Sequence, residues 1–177
     1  VFAALAGEEL GLNGARHLAD NPPFPLEHVR FVLNFDMVAS AEDGLMVFAG
    51  TDFPNEYALL TALNAQQGGG PLHARANRPN SDHWAFTEKG VPAFYLLTKD
   101  GKQPYHSLRD EARTLQWDAF ARARSLAEAF LRGELAGTNT DGGKRQGAIS
   151  EAVFRRLYLN QWVEYGEEPW VQREQLR

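Results

Sequence analysis

The sequence predicts an α/β protein: a three-layer α/β/α sandwich around a mostly parallel mixed sheet. Three observations carry that reading. Short apolar runs alternate with stretches of helical periodicity along the first three quarters of the 177 residues. Some of these runs are nearly continuous, as in strands covered on both faces. Acidic residues and a histidine fall at or just after the C-terminal ends of the runs, the edge where open parallel sheets present their ligands.

The elements follow in order. Val1-Phe2-Ala3-Ala4-Leu5 reads as a buried strand that halts at Gly7, and Asn13 to Asp20 as a first helix. Pro22, Pro23 and Pro25 make a stiff turn, because proline fixes φ and stops helices. Val29 to Val38 is an apolar run typical of a central strand, with Asp36 near its C-terminal end. Gly44 to Gly50 is a second short strand, and Pro54 to Asn64 places Tyr57, Leu60 and Leu63 at helical spacing. Gln66 to Pro71 is a loop, whose three glycines lack the Lys-Ser/Thr and helix of a phosphate cradle. Ser81 has the character of an N-cap for a short helix ending at Gly90. Val91 to Thr98 is the next buried strand. Leu115 to Arg132 is a long helix with Leu115, Phe120, Ala123, Leu126 and Phe130 on one face. Residues 136–149 have linker composition, and 150–177 form a tail with an amphipathic pattern in Phe154, Leu157, Tyr158 and Trp162.

Composition narrows the function classes. The content is 44% hydrophobic and 23% charged, as in a globular domain, and the net charge of −5 argues against a nucleic-acid surface on the main body. Without cysteine there are neither disulfides nor thiolate metal sites. No apolar run approaches the roughly 18 residues of a membrane span. The chain starts at Val1 with residues of interior character, which predicts that the fold begins before this numbering.

Glu8, Glu9, Asp36 and His106 each stand at or just after a predicted strand end. In a parallel sheet those ends share one edge, so residues distant in sequence converge there. Carboxylate oxygen and imidazole nitrogen together suit zinc. Adjacent glutamates on a turn point different ways, so one can bind a metal while the other handles a proton. Both also suit the N-terminal end of a helix dipole. Asp36 reads as a ligand or as a strand-end cap. Asp82 and Asp110 are acids that can orient ligand histidines or hold a substrate amine. His17, His28 and His73 read as solvent-facing, His83 as lining the site or packing a helix, and Trp84 and Trp117 as packed within the domain.

Four motifs occur in order: Gly7-Glu8-Glu9-x-Gly11-Leu12-x-Gly14, Asn34-x-Asp36-Met37, Ser81-Asp82-His83-x-x-Phe86-x-x-x-Gly90-Val91-Pro92, and Tyr105-His106-x-x-x-Asp110. The set resembles the co-catalytic di-zinc aminopeptidase family, whose relatives include bacterial leucyl-type aminopeptidases, glutamate carboxypeptidases and glutaminyl cyclases. The likeness runs over about residues 1–135. It implies a zinc-exopeptidase fold, hydrolysis of N-terminal residues from peptides, and two zinc ions. Glu8 is then the general base, Glu9 and His106 ligands of one zinc, and Asp36 a ligand of the other. Asp82 falls near the substrate end, and Tyr105 is placed to donate to the carbonyl oxyanion. A glutaminyl cyclase or a non-catalytic scaffold of the same fold are the alternatives. The family also implies a secreted or periplasmic setting.

The departure is as informative. The family's His-x-Asp and Asp-Asn regions, which supply a histidine and a bridging aspartate, would precede Val1. The expectation is therefore the C-terminal part of a catalytic domain, binding one zinc or none tightly and nearly inactive alone. The stretch Ser150 to Glu164 resembles a segment of phage terminase large subunits, carries no catalytic group, and is assigned no role. Six Lys/Arg and six Asp/Glu after Gly137 leave that region neutral.

Overall fold

A computed structural model describes residues 1–40, 43–99 and 105–136. Its sheet has four strands: β1 (Val32–Phe35), β2 (Leu45–Phe48), β3 (Leu72–Arg75) and β4 (Ala93–Thr98), in the order β1-β4-β2-β3. β1 runs parallel to β4, with Val32 opposite Ala93 and Phe35 opposite Leu96. β2 is parallel to β3 and antiparallel to β4. The mixed, mostly parallel sheet is therefore as the sequence predicts.

Helices cover both faces. On one, α2 (Pro54–Gln66) and α4 (Trp117–Ala136) bring Leu60, Ala123, Leu126 and Phe130 onto Phe31, Val47, Phe94 and Leu96. Phe94 is fully buried, its ring 4.7 Å from Phe31 and 5.8 Å from Phe130 between centroids. On the other face, α1 (Asn13–Asp20) and α3 (His83–Thr87) pack Ala15, Ala19, Ala85 and Phe86 with Val91. Exposed ion pairs, Arg16–Glu88 at 2.8 Å and Lys89–Asp20 at 2.6 Å, link α1 to the end of α3. Such solvent-exposed pairs contribute little to stability.

Several expectations are corrected. Val1 to Leu5 is not a strand, and Phe2 is 65% exposed. A strand requires a ladder partner. Instead, a cleft of about 1000 Å³ lies between this segment and β1, lined by Val1, Phe2, Leu5, Val32, Leu33 and Phe35 among others. For the same reason β1 is a margin strand, not a central one, and keeps only four residues of the apolar run. β3 follows the expected loop 66–71 directly, so His73 lies on a strand rather than facing solvent, half-buried with Nε2 3.1 Å from the Asp43 carbonyl oxygen. The buried face of α4 is Ala119, Ala123, Leu126, Ala127 and Phe130. Phe120 turns toward the cleft, 41% exposed, Leu115 precedes the helix, and Trp117 is 60% exposed. His17 and His28 are exposed as expected, and Trp84 packs on the α1–α3 cluster. The expected linker lies outside the described residues apart from Ala136, as does the whole tail 150–177. No helix among the described residues is long and apolar enough to cross a membrane.

Candidate active site

Glu8 and Glu9 sit on a tight turn fixed mainly by its backbone, with Arg16 Nε donating to the Gly11 carbonyl (3.2 Å). Gly7 (φ 72°), Gly11 (φ 97°) and Leu12 (φ 61°) take left-handed conformations, two of them at glycines where no Cβ opposes it. The amides of Gly11 and Leu12 donate to the Glu8 carbonyl (3.1 and 2.9 Å), and that of Asn13 to the Gly7 carbonyl (3.0 Å). Gly14 closes the motif by proximity. A Cβ there would lie 2.5 Å from the Ala6 carbonyl oxygen and 2.7 Å from its nitrogen. The first turn of α1 is thus pressed against the segment that leads into the glutamates.

Asp36 follows β1 directly and is held from the side. The Ser81 hydroxyl donates to its Oδ2 (2.9 Å) and accepts from Asn34 Nδ2 (2.7 Å). The buried Tyr95 phenol lies close enough to feel the same carboxylate. Its pKa is pushed up by burial first, then by the charges of Asp36 and Glu8. Asp82 is half-buried with its Oδ1 unpartnered, and burial together with the charge of Asp36 raises its carboxyl.

His106 arrives on an exposed loop, in a left-handed conformation (φ 51°), with its ring 3.7 Å from that of Tyr105 between centroids. Its Nε2 lies 2.5 Å from Glu9 Oε1, across 97 residues of sequence. Tyr105 is itself 58% exposed and feels the Glu9, Asp36 and Glu8 charges.

Electrostatics tie these groups together. The Glu8 carboxyl is raised by burial first, then by Asp36, Glu9 and Asp82, against a lowering influence of His106. Glu8 thus feels three other carboxylates and one histidine, an excess of negative charge that a cation would offset. The donor types suit zinc. Their number falls short of a closed site: among the described residues no group of three or more His, Cys, Asp or Glu is placed to hold a metal ion. Glu9 and His106 meet as a pair, while Asp36 stands with Ser81 and Tyr95.

Six of the seven residues singled out in the sequence therefore come together. Asp110 does not: it is exposed, its amide closes a turn on the Ser107 carbonyl (3.1 Å), and its carboxylate takes no part in the cluster. His83 is fully buried, its ring stacked on Tyr95 (5.3 Å) and its Nε2 3.0 Å from Asn77 Oδ1. Burial lowers its pKa to about 4, and its buried Nδ1 has no hydrogen-bond partner. It packs within the domain. Sequence reasoning missed Tyr95 and the hydroxyl role of Ser81. Asn34 had one legible signal, since residues two apart on a strand share a face and Asp36 follows at that spacing.

Comparison with known proteins adds a family. The model of peptidase family M28 matches residues 1–131. Among solved structures, the zinc aminopeptidase BSAP from Bacillus subtilis superposes with a TM-score of 0.63 at 23% identity, covering 74% of this chain and 34% of that one. The LapA aminopeptidase of Legionella pneumophila gives 0.57 at 26% identity, covering 71% and 36%. A glutaminyl cyclase from an Acidobacteriales bacterium gives 0.56 at 21%, covering 68% and 45%. The chain spans about a third to under a half of the length of these structures. No curated protein matches the sequence.

Proposed function

This chain belongs to peptidase family M28, and we propose that residues 1–135 are part of the catalytic domain of a zinc exopeptidase that removes N-terminal residues from peptides. The observation that carries the proposal is the meeting of Glu9 and His106 at 2.5 Å beside Glu8 and Asp36. Glu9 and His106 would hold one zinc ion and Asp36 would contribute to a second. Bound there, the metal supplies Lewis-acid polarisation of the scissile carbonyl and acidifies the attacking water.

The remaining steps belong to side chains. Glu8 accepts a proton from the attacking water as its oxygen bonds the carbonyl carbon. When the C–N bond breaks, Glu8 returns that proton to the leaving amine, so the carboxylate is regenerated. Tyr105, exposed beside His106, donates a hydrogen bond to the oxyanion. Asp82, with an unpartnered buried oxygen, faces the substrate's ammonium end. With two donors in contact, the 177-residue chain binds zinc weakly or at one site and turns over slowly or not at all.

Hydrolysis of amino-acid anilides at saturating zinc tests the reading, with cyclisation of an N-terminal glutamine peptide as the rival reaction. Any anilide turnover should fall by about 100-fold or more in Glu8→Gln, the scale of general-base catalysis, with zinc affinity retained. Turnover that survives in Glu8→Gln, or glutamine cyclisation in its place, contradicts it.

A further inference from the structure

The two exposed ion pairs between α1 and the end of α3 differ in what else they touch. Lys89–Asp20 joins two side chains. Arg16 does more: its Nη1 donates to Glu88 Oε2 at 2.8 Å, while its Nε donates to the Gly11 carbonyl at 3.2 Å. Glu88 is held in turn, since the Trp84 indole N–H donates to its other oxygen at 2.9 Å. One planar guanidinium therefore grips both α3 and the turn that carries Glu8 and Glu9.

The grip falls on a particular peptide group. The Gly11 carbonyl and the Leu12 amide are the two ends of one planar unit. That amide donates to the Glu8 carbonyl at 2.9 Å, and the Glu8 carbonyl belongs to the peptide joining Glu8 to Glu9. Holding the Gly11 oxygen thus sets the plane from which both glutamates project. Such a hold has work to do here. Gly11 stands at φ 97° with nothing within 4 Å of where a Cβ would lie, and glycine lets a neighbouring peptide turn over at little steric cost.

We infer that Arg16 is a positioning residue, whose guanidinium locks the Gly11–Leu12 peptide to α3 and through it fixes the Glu8–Glu9 peptide. This rests on the reading of Glu8 as base and Glu9 as metal ligand given above. Stability is not what the contact provides. The Arg16 and Glu88 side chains are 48% and 41% exposed, and pairs in water add little. α3 also follows directly on Asp82, whose charge Glu8 feels. The brace therefore sets the spacing between the proton-accepting glutamate and the acid assigned to the substrate's ammonium end.

Zinc calorimetry and amide exchange by NMR on the metal-free chain test it together. Arg16→Ala should weaken zinc binding about 10-fold, the low end of the range for groups that orient ligands. Its Leu12 amide should exchange about 2–10-fold faster, the range one hydrogen bond commands. The denaturant midpoint should stay where it is. Arg16→Lys keeps the charge without the planar fork and should recover neither loss. Asp20→Asn breaks the other α1–α3 pair and should leave affinity and exchange as in the wild type. Unchanged affinity and exchange in Arg16→Ala, full recovery in Arg16→Lys, or equal losses in Asp20→Asn overturns the inference. If neither wild type nor variants bind zinc, the metal-centre reading fails, while Leu12 exchange still decides the role of Arg16.

Discussion

Asp36 and His106 reach the same cluster by opposite means. Asp36 is built into the fold, leaving β1 between a serine hydroxyl at 2.9 Å and the buried Tyr95 phenol. His106 hangs from an exposed loop in a left-handed backbone, held by a ring stack on Tyr105 and by Glu9. The Glu9–His106 contact is exposed on both sides, 65% and 55% by side chain. Behind Asp36 lies the better-covered part of the molecule, where β4 and β2 sit between two helical layers. The lesson is that one half of the site inherits its geometry from the core, whereas the other acquires it from the groups that meet there. A cation would matter most to the second half.

The contrast breaks first at the core. Phe94→Ala removes a fully buried ring beneath β4 and should cost about 3–5 kcal/mol in denaturant unfolding. Phe2→Ala, on the segment beyond the cleft, should cost under about 1 kcal/mol because its ring is mostly in water. Equal losses would mean that the core and the N-terminal segment are packed alike.

Acid should act on the built-in side next. His83 is neutral in the fold, with its pKa lowered from 6.5 to about 4. The unfolded chain therefore binds the extra proton first. Its contribution is fully present above about pH 6.5 and is lost as pH falls toward 4, by up to about 3 kcal/mol. His83→Gln should flatten that slope in pH-dependent unfolding. A slope unchanged by the substitution would place the acid sensitivity elsewhere.

How much of this was legible follows the same division. The helix Asn13 to Asp20 was readable to the residue, because a glycine-rich turn and a short apolar stripe specify it locally. The strand Ala93–Thr98 was equally plain as a buried apolar run. The margin was not. Val1 to Leu5 has strand composition, but whether it pairs depends on a neighbour that local sequence does not reveal. β3 was hidden because Leu72-His73-Ala74-Arg75 lacks β-branched residues and follows glycines. In the site, the strand-end placement holds for Asp36, which follows β1, whereas Glu8 and Glu9 follow no strand and His106 stands on a loop, so their motifs rather than strand ends made them legible. Ser81 was misread, since a serine before a helix signals a cap from sequence alone, and only tertiary structure shows its hydroxyl turned to Asp36.

The smallest effect on stability falls on His106, and it makes the most direct test. His106→Ala removes an exposed pair and should change unfolding free energy by no more than about 1 kcal/mol. Calorimetric titration of zinc into the wild-type chain should find one weak site, and into His106→Ala none. Two tight sites in the wild type, or zinc binding unaffected by His106→Ala, would contradict the account.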